Sequence, residues 1–368
     1  METMKIVLYG IVVLLLAGCS SSQRLVEKDT ATEFTLSREL REVLYYASLA
    51  PNGHNTQMWK VGVSGDGKTL NVYLDSSRLL PVVDPEGRES LISAGAFLEN
   101  LRQALGAYGF TGDIEIPGTI AVQENPLVAS VTVTGGSAET ADPEILKVME
   151  IRHTDKSKYL DRPLDAGAVE RLEASVPGTL RIYTKGTEEF GALRDLTMEA
   201  NVIQSSSPAA RAELAEWLRF SDDEAARTAD GLPAEQLGLS GIVKKLYYLT
   251  TDREKAASEK FGKTSINTAE KQLYNCAGFF VVTGGHTPRG YVQAGMDMEA
   301  VWLRAAAEGI SLHPMSQALE ETETREKLPT AIPGGEFFQM VMRAGYVKDY
   351  GENNRIRRPL REFVFLEP

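Results

Sequence analysis

The stretch "LAPNGHNTQMWKV", residues 49–61, joins two different periodicities. Before it, "LSRELREVLYYASLA" (36–50) places apolar residues at helical spacing behind a serine suited to capping. After it, "MWKVGV" alternates, "SGDGK" turns and "TLNVYLD" alternates again, which predicts a β-hairpin. A helix therefore passes through a short polar turn into a sheet. An Asx-type turn accounts for Asn52, Gly53 and Asn55. It does not account for Gln57 and Trp59 in the same few residues. The other reading is a polar cradle, in which Asn52, Asn55 and Gln57 supply amides and Gly53 lets the backbone approach a ligand closely.

Outward from this turn the pattern stays mixed. "ESLISAGAFLENLRQALGAYGF" reads as a long helix ending near Gly109, and "TIAVQ" and "VASVTVT" read as strands. "GGSAETADP" is the most linker-like interior stretch. Beyond it come the helical "PEILKVMEI", the basic "RHTDKSKY", and two helices around 187–219. Residues 221–262 are charged, irregular and broken by "DGLP" and "LGLSG". "AGFFVVTG", "FFQMVMRAGY" and "EFVFLE" read as strands, and "GYVQAGMDMEAVWLRAAAEGI" as a second long helix.

The two long helices align with each other without a gap. Ala94/Ala294, Gly95/Gly295, Glu99/Glu299, Ala107/Ala307 and Gly109/Gly309 coincide, and the hydrophobic positions stay in phase. Helix-ending glycines are common, but five coincidences in one frame point to a diverged duplication. The expectation is two similar α+β halves, 36–135 and 142–368, packed as an internal pseudo-dimer in a monomeric chain.

Bulk properties narrow the function. The chain has 368 residues, a formal charge of −12 and 43% hydrophobic residues, enough for a substantial core. The acidic balance argues against general nucleic-acid binding. The N-terminal "MKIVLYGIVVLLLAGC" has a lysine, a short apolar run and Leu16-Ala17-Gly18-Cys19. This is similar to a bacterial lipoprotein signal, with Met4 as a possible start. It implies Sec-type export, cleavage before Cys19, lipidation of Cys19 and a tether over 19–35, hence attachment to the periplasmic face of a cell-envelope membrane. The alternative is a plain N-terminal anchor helix. Cys276, the other cysteine, lies in an apolar setting and reads as a small buried residue, so the mature chain has no internal disulfide.

Two basic clusters stand out in this acidic chain. One is Arg152, His153, Lys156 and Lys158 with Thr154, and the other is Arg355, Arg357, Arg358 and Arg361. Arg forks and Lys charges suit phosphate oxygens; solvated surface charge is the plainer alternative. The four histidines show no paired ligand spacing, so no metal is expected. "VVTGGHTPRG" lacks both a P-loop and a GxGxxG pattern, so there is no nicotinamide-binding domain.

Together these motifs resemble the FMN-dependent nitroreductase superfamily. "APNGHNTQMW" is similar to its Ala-Pro-Ser-x-x-Asn-x-Gln-Pro-Trp motif, with Asn52 for Ser and Met58 for Pro. "RHTDKSKY" is similar to Arg-Arg-Ser/Thr-x-Arg-x-Phe, with His153 for Arg and with Arg152, Thr154 and Lys156 in register. "RIRRP" matches Lys/Arg-x-Arg-x-Pro at Arg355, Arg357 and Pro359, and "AAEGISLHPMSQALEE" resembles the segment after the second long helix. The order of the motifs resembles the single-chain, internally duplicated Acg-like branch. The resemblance implies two antiparallel sheets flanked by helices and one FMN. Arg152, Lys156, Arg355 and Arg357 would hold its phosphate. Asn55, with Asn52 and Gly53, would meet its ring, and the backbone near Ser316 and Gln317 would face it. It also implies NAD(P)H or another donor and a small acceptor, a quinone or nitro compound. Residues 221–262 resemble the lid of that branch, which is associated with poor turnover and flavin sequestration. Three roles stay open: reductase, non-catalytic FMN-sequestering protein, or flavin-free envelope lipoprotein.

Overall fold

The computed structural model describes residues 26–120, 124–136, 141, 143–351 and 356–368. Cys19, Arg355, most of the interior linker and the end of the "TIAVQ" segment lie outside them.

Helix α1 (Arg38–Ser48) starts where Ser37 accepts a hydrogen bond from the Leu40 amide, and it buries Leu40, Val43, Leu44 and Ala47. The polar turn then delivers the chain into β1 (Trp59–Val63), which pairs antiparallel with β2 (Thr69–Leu74) as the alternation predicts. Gly67 supplies the positive φ of +69° that the hairpin turn needs. Helix α2 (Arg88–Ala107) ends at Gly109 in the left-handed region and is followed by β3 (Phe110–Glu115) and β4 (Leu127–Gly135). β3 was hidden because Gly112 and Asp113 are poor strand formers. Thr119 and Ile120, the described part of the expected "TIAVQ" strand, are not in a strand.

The second part runs α3 (Glu144–Ile151), α4 (Ala166–Ser175), β5 (Leu180–Thr184), α5 (Glu188–Ser206) and α6 (Pro208–Trp217). Residues 221–262, expected to be irregular, instead carry α7 (Asp222–Thr228), α8 (Gly241–Thr250) and the start of α9 (Glu259–Tyr274). Ser221 caps the Glu224 amide, and Asp222, Asp223 and Glu224 fill the first turn of α7. Acidic residues there complement the positive end of the helix dipole, so a charge run that looked irregular is a helix start. β6 (Gly278–Thr283), α10 (Pro288–Ala307), β7 (Ser311–Pro314), β8 (Phe338–Gly345) and β9 (Val364–Leu366) complete the chain.

Two sheets result, ordered β3-β4-β2-β1-β9 and β5-β6-β8-β7. The α+β class expected from the sequence is the one observed. The expectation of purely antiparallel sheets is corrected at one place: β9 runs parallel to β1. The chain returns from the second sheet to the first and covers the open edge of β1. There the Val61 amide donates to the Phe363 carbonyl at 2.7 Å and the Glu367 amide to the Val63 carbonyl at 2.9 Å. One core cluster includes Leu44, Trp59 and Phe97 from the first half and Leu172, Phe280, Trp302 and Met342 from the second. A second cluster, with Phe190, Phe279 and Val341, lies on the other face of the second sheet. Cys276 is buried in it.

Between the sheets α2 crosses α10 at two glycines. A Cβ added to Gly95 would lie 2.0 Å from the Val292 carbonyl oxygen, and one added to Gly295 would lie 1.9 Å from that of Ile92. The contact is reciprocal, and its partners differ by the same 200 positions that align the two helices in sequence. Backbone touches backbone, so no side chain can yield to make room. Gly95→Ala and Gly295→Ala should each destabilise the protein by about 1–3 kcal/mol or more through overpacking. Equal losses in thermal midpoint are expected from the reciprocity; an unchanged midpoint in either variant would show that the helices do not meet there.

Candidate functional site

The turn after α1 is strained and fully wired. His54, Asn55 and Gln57 all have positive φ, between 46° and 54°. Each such residue costs on the order of 1–3 kcal/mol and persists only when its surroundings dictate it. Asn52 provides part of that control: its Oδ1 accepts from the Gln57 amide at 2.8 Å, and its Nδ2 donates to the Ala50 carbonyl at 3.2 Å. Asn52 is thus the Asx-type residue of the turn. Gly53 packs closely, since an added Cβ would lie 3.1 Å from Leu80 Cδ1, a side-chain end that would have to give way slightly.

Asn55 and Gln57 point away from the turn, to partners far along the chain. Asn55 Nδ2 donates to the Gly231 carbonyl at 3.0 Å, and its Oδ1 accepts from Arg357 Nη1 at 3.0 Å. Gln57 Nε2 donates to the Ala229 carbonyl at 2.9 Å, and its Oε1 accepts from the Arg358 amide at 2.9 Å. Turn chemistry left Gln57 unexplained; its tertiary role explains it.

Arg357 closes the end of α1. Its Nη2 donates to the carbonyls of Leu49 at 2.9 Å and Ala50 at 3.1 Å, and its Nε to that of Ser48. A helix end leaves such carbonyls without intrahelical partners, and a guanidinium satisfies several at once. Arg152 reaches the same place from the second half. Its Nη2 donates to the Leu49 carbonyl, its Nε lies 3.0 Å from Glu299 Oε1, and its guanidinium carbon is 4.9 Å from the Trp302 ring. Both members of this ion pair are buried. Burial pushes the Glu299 carboxyl up to about 8 against the opposing charge of Arg152, and Glu99 pushes it further.

Lys156 has a different environment. It is half-buried, and among the described residues it makes no ion pair. Burial, then the charge of Arg343, pushes its amine down to about 8. His54 is pushed down to about 4 by burial and by Lys156, and its buried Nδ1 has no hydrogen-bond partner among the described residues. His313 lies well below its ordinary range for the same reasons, burial first, then Arg343 and Lys156. Asp155, next in sequence, is turned away and accepts from Ser311 Oγ at 2.9 Å. The result is positive charge from Lys156 and Arg343 beside two histidines held neutral, which suits an anionic or electron-rich group.

The remaining sequence candidates divide. Thr154 is exposed and its backbone bridges Leu312 in parallel, which lays the Arg152–Lys156 segment beside β7. Ser316 and Gln317 follow β7, but their side chains face the second sheet and α5. Ser316 Oγ accepts from the Val341 amide at 3.1 Å, and Gln317 Oε1 from Asn201 Nδ2 at 3.4 Å. The structure thus brings Asn52, Asn55, Gln57, Arg152 and Arg357 to one place, with Lys156 next to His54.

The resemblance implies a lid over 221–262; which of those residues touch this place was not readable in the sequence. Residues 229–232 lie on the turn. The Gly231 amide donates to the Asn55 carbonyl at 3.1 Å, alongside the two amide contacts already described. Asp230 binds Arg78 at 2.8 Å and Arg219 at 2.5 Å. Burial raises its pKa, but the hydrogen bonds from Arg219 and Arg78 prevail and hold it below the ordinary range. Ala229 has a φ of +51°, and a Cβ on Gly231, at φ +71°, would lie 2.4 Å from the Trp217 carbonyl oxygen. In the sequence this segment fell in the lid-like stretch 221–262 and was marked locally only by the Asp-Gly-Leu-Pro breaker. Surface clefts of about 290 Å³ and about 430 Å³ lie elsewhere, beside Phe190 and Tyr274 and beside Tyr73 and Phe363.

No protein-family model matches the chain. Its sequence is similar to Acg of Mycobacterium tuberculosis strain H37Rv, provisionally named an NAD(P)H nitroreductase, at 30% identity over 210 residues. That match takes in 54% of this chain and 58% of Acg, so it spans little more than half of the relative. Rv3131 of the same strain, with the same provisional name, is 21% identical over 326 residues, 86% of this chain and 87% of that one. Among solved structures, the FMN- and NADPH-dependent nitroreductase NfnB from Sphigopyxis sp. strain HMH matches 59% of this chain and 93% of its own, at 12% identity and a TM-score of 0.36. Over most of its length, then, the chain is similar in sequence to nitroreductase-like proteins.

Proposed function

We propose that this chain is a nitroreductase-like oxidoreductase of the cell envelope, anchored by lipid at Cys19, which binds FMN where its two duplicated halves meet. One observation carries the reading. Asn55 and Gln57, Arg152, and Arg357 with Arg358 come from three distant segments and converge on the end of α1, beside a positive patch at Lys156. Lys156 is half-buried near Arg343 and makes no ion pair among the described residues, so an anion placed there would meet uncompensated positive charge. The provisional names of the relatives and the motif resemblance supply the chemical class.

In this reading Lys156, Arg152, Arg357 and Arg355 provide positive charge for the anionic groups of FMN. Asn52, Gly53 and Asn55 line the ring side. When bound, FMN supplies the redox chemistry, taking a hydride from a reduced nicotinamide and passing electrons to a quinone or nitro compound. The protein binds and orients, and segment 229–232 keeps water from the turn. A second reading, flavin storage without turnover, is favoured by that same segment, since Asn55 and Gln57 hold it shut.

Protein incubated with FMN and desalted should keep a visible flavin band near one per chain; a colourless product that also fails to titrate would reject both readings. Lys156→Gln should raise the FMN dissociation constant at least about tenfold, the weight of one charge-assisted hydrogen bond. Only the protonated amine attracts an anion, so affinity should hold below pH 8 and weaken as pH rises through it. The pH slope should vanish in Lys156→Gln; a slope that persists there would move the anion site away from Lys156. Gly231→Ala, which forces the lid segment off Trp217, separates the two roles. Faster flavin release with faster NADPH–quinone turnover marks an enzyme, and faster release with no turnover marks a store.

A further inference from the structure

Helix α8 (Gly241–Thr250) turns an apolar face to the outside. Ile242, Val243, Leu246 and Leu249 are 73%, 57%, 56% and 83% exposed. Ile242, Leu246 and Leu249 fall at helical spacing on one side, with the exposed Lys245 among them. The opposite side is fastened to the lid. The Tyr247 ring stacks on Phe220 with centroids 6.3 Å apart, Tyr248 Oη donates to Asp222 Oδ1 at 3.0 Å, and Lys244 pairs with Asp222 at 2.7 Å. A firmly held helix with a bare apolar face is not fraying. At ten residues it is about 15 Å long, half of a membrane span. Among the described residues no helix is long and apolar enough to cross a membrane. An apolar face carrying a lysine instead suits a helix lying in the lipid interface.

The path of the N-terminal segment selects the occupant. Val26, the first described residue, packs against Ala225 and Ala229 of the lid and against Ile356. Ala225 is one helical turn from Asp222, the residue that holds α8. Cys19 lies seven positions before Val26, a reach of about 25 Å at full extension. The anchor therefore leaves the fold at the lid. We infer that the exposed face of α8 docks into the bilayer interface, so that the lid, and the latch it carries onto the Asn55–Gln57 turn, faces lipid. This rests on the envelope-lipoprotein reading above. Docked in this way, the lid stands where membrane-dissolved acceptors are concentrated.

The test uses the full chain in vesicles of phosphatidylethanolamine and phosphatidylglycerol. An environment-sensitive fluorophore is attached at Leu249→Cys and, for reference, at Glu173→Cys on the exposed side of α4. Cys19 is blocked by its lipid in this reading, and the buried Cys276 does not compete for the label. The expected result is blue-shifted emission at position 249, quenched several-fold more by spin-labelled lipid than at 173, and lost when Ile242→Glu and Leu246→Glu are added. Chain sedimenting with the vesicles while position 249 stays open to aqueous iodide would overturn the docking alone. A blue shift that grows with protein concentration but ignores spin-labelled lipid would assign the face to a second copy and overturn it as well. Chain left in the supernatant would overturn the docking together with the lipoprotein reading.

Discussion

The fold depends on a backbone contact between two helices. Gly95 and Gly295 let α2 and α10 approach until each carbonyl sits where a methyl group would otherwise be. That distance sets the spacing of the two sheets and places Glu99 and Glu299, one turn further along, deep in the seam. Burying a carboxylate is costly unless it is paired or protonated. Glu299 is answered by Arg152, and through Arg152 the helix seam is tied to the end of α1, where the strained turn begins.

The turn shows the same economy of connection. Its three left-handed residues are not glycine, so local preference opposes them. Tertiary hydrogen bonds to residues 229–231 and 356–358 hold them in place. The Asn55 and Gln57 amides are thereby spent on the backbone of residues 229–231. A new acceptor for either amide would have to displace a carbonyl of that segment.

Legibility in the sequence followed the range of the interaction. α1, the β1–β2 hairpin, α2, β6, α10 and β8 were readable because their apolar periodicity is strong and local. The frame relating Ala94 to Ala294 was readable too, and it is the frame in which the two glycines touch. β3 and β7 were not, carrying Gly112, Asp113 and Pro314; β5 was not, although Ile182, Tyr183 and Thr184 favour strands, and the acid-rich start of α7 resembled a loop. The lid latch was hidden for another reason. Gln57 binds the carbonyl of Ala229, and a backbone acceptor leaves no mark in the side-chain alphabet. Arg152 and Arg357 were visible as charges, but nothing in their spacing told that both would grip the carbonyls of Leu49 and its neighbours.

The parallel strand β9 has a consequence for timing. Asn55 meets Arg357 across 302 positions of chain, and β1 is covered only when Val364–Leu366 arrive. Contacts that close such long loops form late and slowly. A chain emerging N-terminus first from synthesis would hold its first sheet unfinished until nearly the whole polypeptide had appeared. The order of assembly would itself leave the edge of β1 open until the last residues arrive.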